Sequence, residues 1–244
     1  DGDRLAARLN AEPDRDRFDL DVRAIAPRDG LIPAIVGLRR PIDLNIEGDG
    51  SWTRWRGTAR LLIERREAAD LALAADSGRY QLKGFVAPAP FLKGKLQRLT
   101  EPRVRVEGGA TFRDLNLDGQ LALASPSLRA VVRGGLNLGE GRYDKVRLGV
   151  DLLRPQALFP NMSGQNLRLL WTLDGPRESA SYAYRLSSPR VAFDNTGFVD
   201  VRADGRARLT AWPMRVPLLL RAKAITGVGG IGGGSLAKLN LEGY

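Results

Sequence analysis

The chain of 244 residues contains no cysteine and no histidine. The first absence removes disulfides and thiolate nucleophiles, and the second removes the commonest general base near neutral pH. Together they remove the usual zinc ligands. The sequence therefore reads as non-enzymatic, with no cofactor and no metal. Aromatic residues make up 7% and show no girdle spacing, which argues against a transmembrane barrel. The longest apolar stretch, residues 31–38, falls far short of the roughly 20 residues that a spanning helix needs. No methionine, basic leader or apolar signal core opens the chain at Asp1. It is expected to be an interior fragment, 1–244, of a longer protein whose signal or anchor lies elsewhere.

The formal net charge is +10, which raises the expectation of an anionic partner. Along the sequence, however, basic residues seldom exceed pairs such as Arg39/Arg40 and Arg65/Arg66. They alternate with acids, as in Asp19, Asp21 and Arg23. That is the pattern of a solvated strand face. A nucleic-acid footprint needs a concentrated patch, so nucleic acid is not an expected partner.

What the chain has in abundance is alternation with period two, the signature of a strand with one apolar and one polar side. Phe18, Leu20, Val22 and Ala24 alternate with Asp19, Asp21 and Arg23, and Ile42, Leu44 and Ile46 with Asp43, Asn45 and Glu47. Further stripes are Leu115, Leu117, Leu121 and Leu123, then Val146, Leu148, Val150 and Leu152. Leu167, Leu169, Trp171 and Leu173 follow, then Tyr182, Tyr184 and Leu186, and last Val216, Leu218, Leu220 and Ala222. Glycine-containing segments between them are read as turns: 48–50, 77–78, 108–109, 118–119, 134–135, 174–176 and 204–205. An apolar residue, an acid and a glycine recur at 46–48, 106–108, 117–119, 173–175 and 241–243, which suggests a repetitive meander. Helical spacing appears only in short pieces, at Leu5 and Leu9, at Leu92, Leu96 and Leu99, and in a single turn from Pro155 before Pro160. A weak subdivision is placed near 153–164.

Literal motifs carry little. Gly227, Gly229 and Gly232 spell a dinucleotide fingerprint, but no long helix follows. Ser235 and Lys238 have the spacing of a Ser–Lys dyad without its partner motifs. Trp52, Trp55, Trp171 and Trp212 are read as packing residues, and the sequon at Asn161 as coincidence. The apolar stripes are the feature with functional promise, and two architectures accommodate them. One is a closed sandwich whose second sheet hides the stripes. The other is a long curved sheet left open along one side. Periodicity does not separate them.

The segments PIDLNIEGDGSWTRWRG at 41–57, LLRPQALFPNMSG at 152–164, LRLLWTLDG at 167–175, YRLSSPRVAFDNTGFVDVRADGRARL at 184–209 and VPLLLRAKAITGV at 216–228 resemble the interior of TamB/AsmA-like envelope proteins of α-proteobacteria. The resemblance implies an all-β fold, an elongated antiparallel meander curved into a U-shaped, taco-like groove with a few short helices. It further implies a periplasmic location and an inner-membrane anchor outside this stretch. The implied role is either moving phospholipid towards the outer membrane or assisting barrel assembly with a BamA-like partner. The implied occupants of the groove are phospholipid acyl chains, and the family has no catalytic residues to carry over. The apolar phase of the strands then nominates the groove lining. In the first half it comprises Phe18, Leu20, Ile42, Leu44 and Ile46. In the second it comprises Leu115, Leu117, Leu121, Leu148, Val150, Leu169, Trp171, Val191, Phe193, Leu218 and Leu220.

Overall fold

A computed structural model describes residues 2–35, 40–88, 91–209, 216–227, 235–236 and 239–243. The chain divides into two compact units, Asp1–Arg113 and Asp114–Tyr244. Segment 153–164 lies inside the second. Among the described residues, no helix is long and apolar enough to cross a membrane.

The first unit is a meander of seven strands: β1 (Arg4–Glu12), β2 (Arg17–Ala26), β3 (Ile42–Gly50), β4 (Arg54–Ile63), β5 (Arg66–Asp76), β6 (Arg79–Val86) and β7 (Val104–Arg113). Each strand pairs antiparallel with the next. Among the described residues no ladder joins β1 back to β7, so the sheet is not closed on itself. Two short helices interrupt it, α1 (Leu31–Ile35) and α2 (Lys95–Thr100). The spacing of Leu92, Leu96 and Leu99 thus marks a real helix, shorter than the pattern suggests, with Leu99 buried. The helical reading of Leu5 and Leu9 is corrected, because both lie on β1. Spacing of four places two residues on one face of a strand as well as of a helix, and Ala7 between them completes the strand phase.

The second unit begins with β8 (Asn116–Ala124), β9 (Leu128–Asn137) and β10 (Arg142–Leu152). It continues through β11 (Met162–Gln165), β12 (Leu167–Pro176), β13 (Ser181–Phe193) and β14 (Thr196–Arg208) to β15 (Leu218–Ala222) and β16 (Ala224–Thr226). It ends with β17 (Ser235–Leu236) and β18 (Leu239–Gly243). All ladders are antiparallel. The single turn expected at Pro155 is a 3-10 turn over Pro155–Ala157. The all-β antiparallel meander expected from the alternation is the fold of both units.

A line of backbone breaks crosses this second sheet. Asn166, with φ 49°, separates β11 from β12, and Lys223 separates β15 from β16. Between them in register lie Pro189 on β13 and Asp200, with φ 53°, on β14. Proline cannot donate to the ladder and a positive φ turns the strand, so all the strands bend along one line. The bend brings Met162 and Val191 on one side against Leu167, Val201 and Ala222 on the other, forming a buried corner. Ser188 stands at this corner, only 4% exposed, with its Oγ 2.8 Å from both the Gln165 and Arg190 carbonyl oxygens.

Most of the glycine segments read as turns lie inside strands. Gly108–Gly109 is within β7, Asp118–Gly119 within β8, Gly134–Gly135 within β9, and Asp204–Gly205 within β14. Residues 48–50 and 174–176 are the last residues of β3 and β12. Ser77–Gly78 is a genuine turn with both φ values positive, 49° and 80°. Two further tight turns use Glu64–Arg65 and Asp114–Leu115, also at positive φ, where the sequence carries no glycine.

Candidate functional site: the apolar sheet faces

Residues directly opposite on paired strands share a face, so the register can be followed across each unit. In the first unit one ladder reads Leu5, Ala24, Leu44, Leu61, Ala69, Val86 and Val104 from β1 to β7. The next reads Ala7, Val22, Ile46, Ala59, Leu71, Gly84 and Val106. Leu9, Leu20, Gly48, Gly57, Leu73, Leu82 and Gly108 form the third. No polar side chain interrupts them. The opposite face carries charge, with Arg8 facing Asp21, Asp49 facing Arg56, and Arg60 facing Asp70 at 3.6 Å.

The second unit repeats the arrangement. Leu123, Ala130, Val150, Leu169, Leu186, Ala203 and Leu220 form one ladder across seven strands. Leu121, Val132, Leu148, Trp171, Tyr184 and Gly205 form its neighbour. Gly205 is required beneath Tyr184, because a Cβ there would overlap the phenol ring. The Tyr184 hydroxyl donates to the Pro217 carbonyl at 2.6 Å, and burial, then the neighbouring Tyr182 and Asp204, push its pKa up.

Burial shows how these faces are covered. Along the ladder from Leu123 to Leu220 only Ala130 and Ala203 are buried, and every larger side chain stays partly exposed. Short side chains sink between taller neighbours, whereas the tall ones each keep part of their surface in solvent, although Leu220 also packs against the corner cluster. A closed sandwich gives the reverse, with its largest apolar residues sealed. Pro33 is the largest fully buried side chain among the described residues.

The nominated residues fall into three groups. Leu20, Leu44 and Ile46, and likewise Leu121, Leu148, Val150, Leu169, Trp171 and Leu220, lie on these ladders. Leu117 lies two ladders further along β8, facing Leu136, and is exposed. Leu218 is exposed at the start of β15. Phe18 sits near the strand end, against Trp52 in a tilted arrangement with ring centroids 5.0 Å apart. A second group is sealed away. Ile42 is buried with Ala26, Ile63 and Ala68, and Val191 is buried in the corner with Phe193 packed against it. Leu115 belongs to neither, because it sits exposed in a turn at φ 62°. Trp212, Lys238, Gly229 and Gly232 lie outside the described residues.

Sequence reading missed the contributions of β4 to β7, notably Leu61, Leu71, Leu73, Leu82 and Val86. On β5, Ala69, Leu71 and Leu73 alternate with Asp70, Ala72 and Ala74. Alanine on the other phase blurs the period, so only the register reveals which side faces Leu44. No known family's model matches this chain, and no curated protein or solved structure does so either.

Proposed function

We propose that this chain is a segment of a non-enzymatic periplasmic lipid conduit, part of an inner-membrane-anchored envelope protein of the TamB/AsmA-like kind, which carries phospholipid acyl chains along its apolar sheet faces. One observation supports the reading above the rest. The ladder from Leu123 to Leu220 is apolar on seven neighbouring strands, and none of its tall side chains is fully buried. Seven strands about 4.8 Å apart give an apolar track of about 29 Å, longer than a single extended acyl chain needs. Each methylene placed on such a surface gains about 0.8 kcal/mol at full burial. Sliding along it requires no chemistry, because successive strands offer similar apolar contacts.

The test is site-specific photocrosslinking in cells, followed by mass analysis of the adducts. Probes at Leu44, Leu71, Leu148 and Leu169 are expected to capture phospholipid. Probes at Thr58 and Ala72, on the opposite face of the first unit, are expected to capture none. Equal labelling of both faces, or no lipid from the apolar face, would defeat the conduit.

A further inference from the structure

On the side of the second unit opposite the apolar ladders, three further ladders run across the sheet. One carries Arg133 opposite Arg147, and another runs from Arg129 through Asp151, Arg168 and Ser187 to Arg202 and Arg221. From β8 to β15 the three hold eight arginines against two aspartates, Asp151 and Asp204, and the next strand, β18, adds Glu242 opposite Leu219. All eight arginines are exposed. Arg168 pairs with Asp151 at 2.6 Å, which raises its pKa through that hydrogen bond. Arg133, Arg147, Arg202 and Arg221 make no ion pair among the described residues.

Arg133 and Arg147 stand directly opposite, as do Arg202 and Arg221. Like charges in directly opposed positions destabilise a sheet. In the first unit the corresponding face is complementary, and its one like-charge pair, Asp21 and Glu47, has Arg8 beside Asp21. A face that carries arginine on six strands, β9, β10 and β12 to β15, with acids set only against Arg129, Arg168 and Arg185, is shaped for an external anion. Guanidinium groups bind phosphate in a bidentate fork.

The middle ladder decides which anion. It reads Ala122, Val131, Gly149, Leu170, Arg185, Asp204 and Leu219, and Leu170 is 48% exposed. Apolar side chains flanked by arginine suit the boundary between headgroups and acyl chains. None of the three ladders contains an aromatic residue on which a base could stack, which disfavours single-stranded nucleic acid. We infer that this arginine face of the second unit docks on an anionic phospholipid bilayer, a role separate from carrying lipid on the opposite face.

Flotation of the chain with vesicles tests this. Binding is expected to vesicles containing phosphatidylglycerol, to weaken with added salt, and to be absent from pure phosphatidylcholine. The quadruple variant R133Q/R147Q/R202Q/R221Q should lose affinity by roughly fivefold per arginine, on the order of several hundredfold in all. Each double variant, R133Q/R147Q or R202Q/R221Q, should lose roughly 25-fold. All should melt no lower than the parent, because exposed repulsion is relieved. L169D, altered on the apolar face, should float as the parent does even if it fails to carry lipid. Equal binding to neutral vesicles, undiminished flotation of the arginine variants, loss of flotation in L169D, or tighter capture of single-stranded DNA than of anionic vesicles would each overturn the inference.

Discussion

The indole of Trp55 lies so close over Gly57, two residues along β4, that a Cβ on the glycine would overlap the ring. Gly48, which pairs with Gly57 across the β3–β4 ladder, meets the same indole. The two glycines form a floor for the ring. G57A is therefore expected to destabilise by about 1–3 kcal/mol through overpacking and to shift tryptophan emission to the red. Gly109, whose added Cβ would meet only an ordinary contact at 3.7 Å, provides the comparison. G109A should be neutral or stabilising by up to about 1 kcal/mol, because alanine loses less entropy in a strand. Urea denaturation of both measures the difference.

Leu167 and Leu169 are two residues apart on β12, yet Leu167 is 6% exposed in the corner and Leu169 is only partly buried. L167A should cost about 2–4 kcal/mol, as a sealed leucine does. L169A should cost less, about 1–2 kcal/mol, since part of its side chain stays in water. Equal losses in chemical denaturation would mean that the Leu169 face is covered after all.

Ser188 shares its one hydroxyl proton between two carbonyl oxygens at the bend. S188A leaves both carbonyls short of a donor in a buried place, at a cost of about 1–2 kcal/mol. S187A changes a residue on the arginine side and should stay within about 0.5 kcal/mol. Amide hydrogen exchange should localise the S188A loss to β11 and β13.

Tyr184 has its pKa raised above the ordinary 10.0, first by burial and then by Tyr182 and Asp204. The folded state therefore holds the phenolic proton more tightly than the unfolded state. That contribution is fully present below the unfolded pKa, and it is lost as pH climbs from about 10 through the folded value. Stability should fall in this alkaline window. Y184F should flatten the fall while losing about 1 kcal/mol at neutral pH with the bond to Pro217. Urea titrations on either side of the window read both effects.

Much of the fold is legible in the sequence because a strand's side chains alternate without tertiary help. The stripes at Ile42–Ile46, Leu148–Leu152 and Leu167–Leu173 are strands in the structure. Glycine misleads for a physical reason. Gly48 and Gly205, read as turn residues, instead make room for the Trp55 ring and for Tyr184 with the Pro217 carbonyl, groups that lie on other parts of the chain. The Leu5–Leu9 spacing misleads because it fits both periods.

Alternation by itself determined that the chain is all-β and that each strand has an apolar side, and composition that it has no cysteine and no histidine. Only the tertiary structure decided which apolar residues are sealed. Ile42 and Val191 lie in closed clusters and Leu169 on a partly exposed ladder, though all three occupy the same kind of stripe. It also decided where charge gathers. Arg133 and Arg147 are well separated in sequence, as are Arg202 and Arg221, so the chain reads as dispersed and balanced. Register then places each pair face to face. A local period dictates which way a side chain points, but what stands opposite or above it is settled by pairings between distant segments.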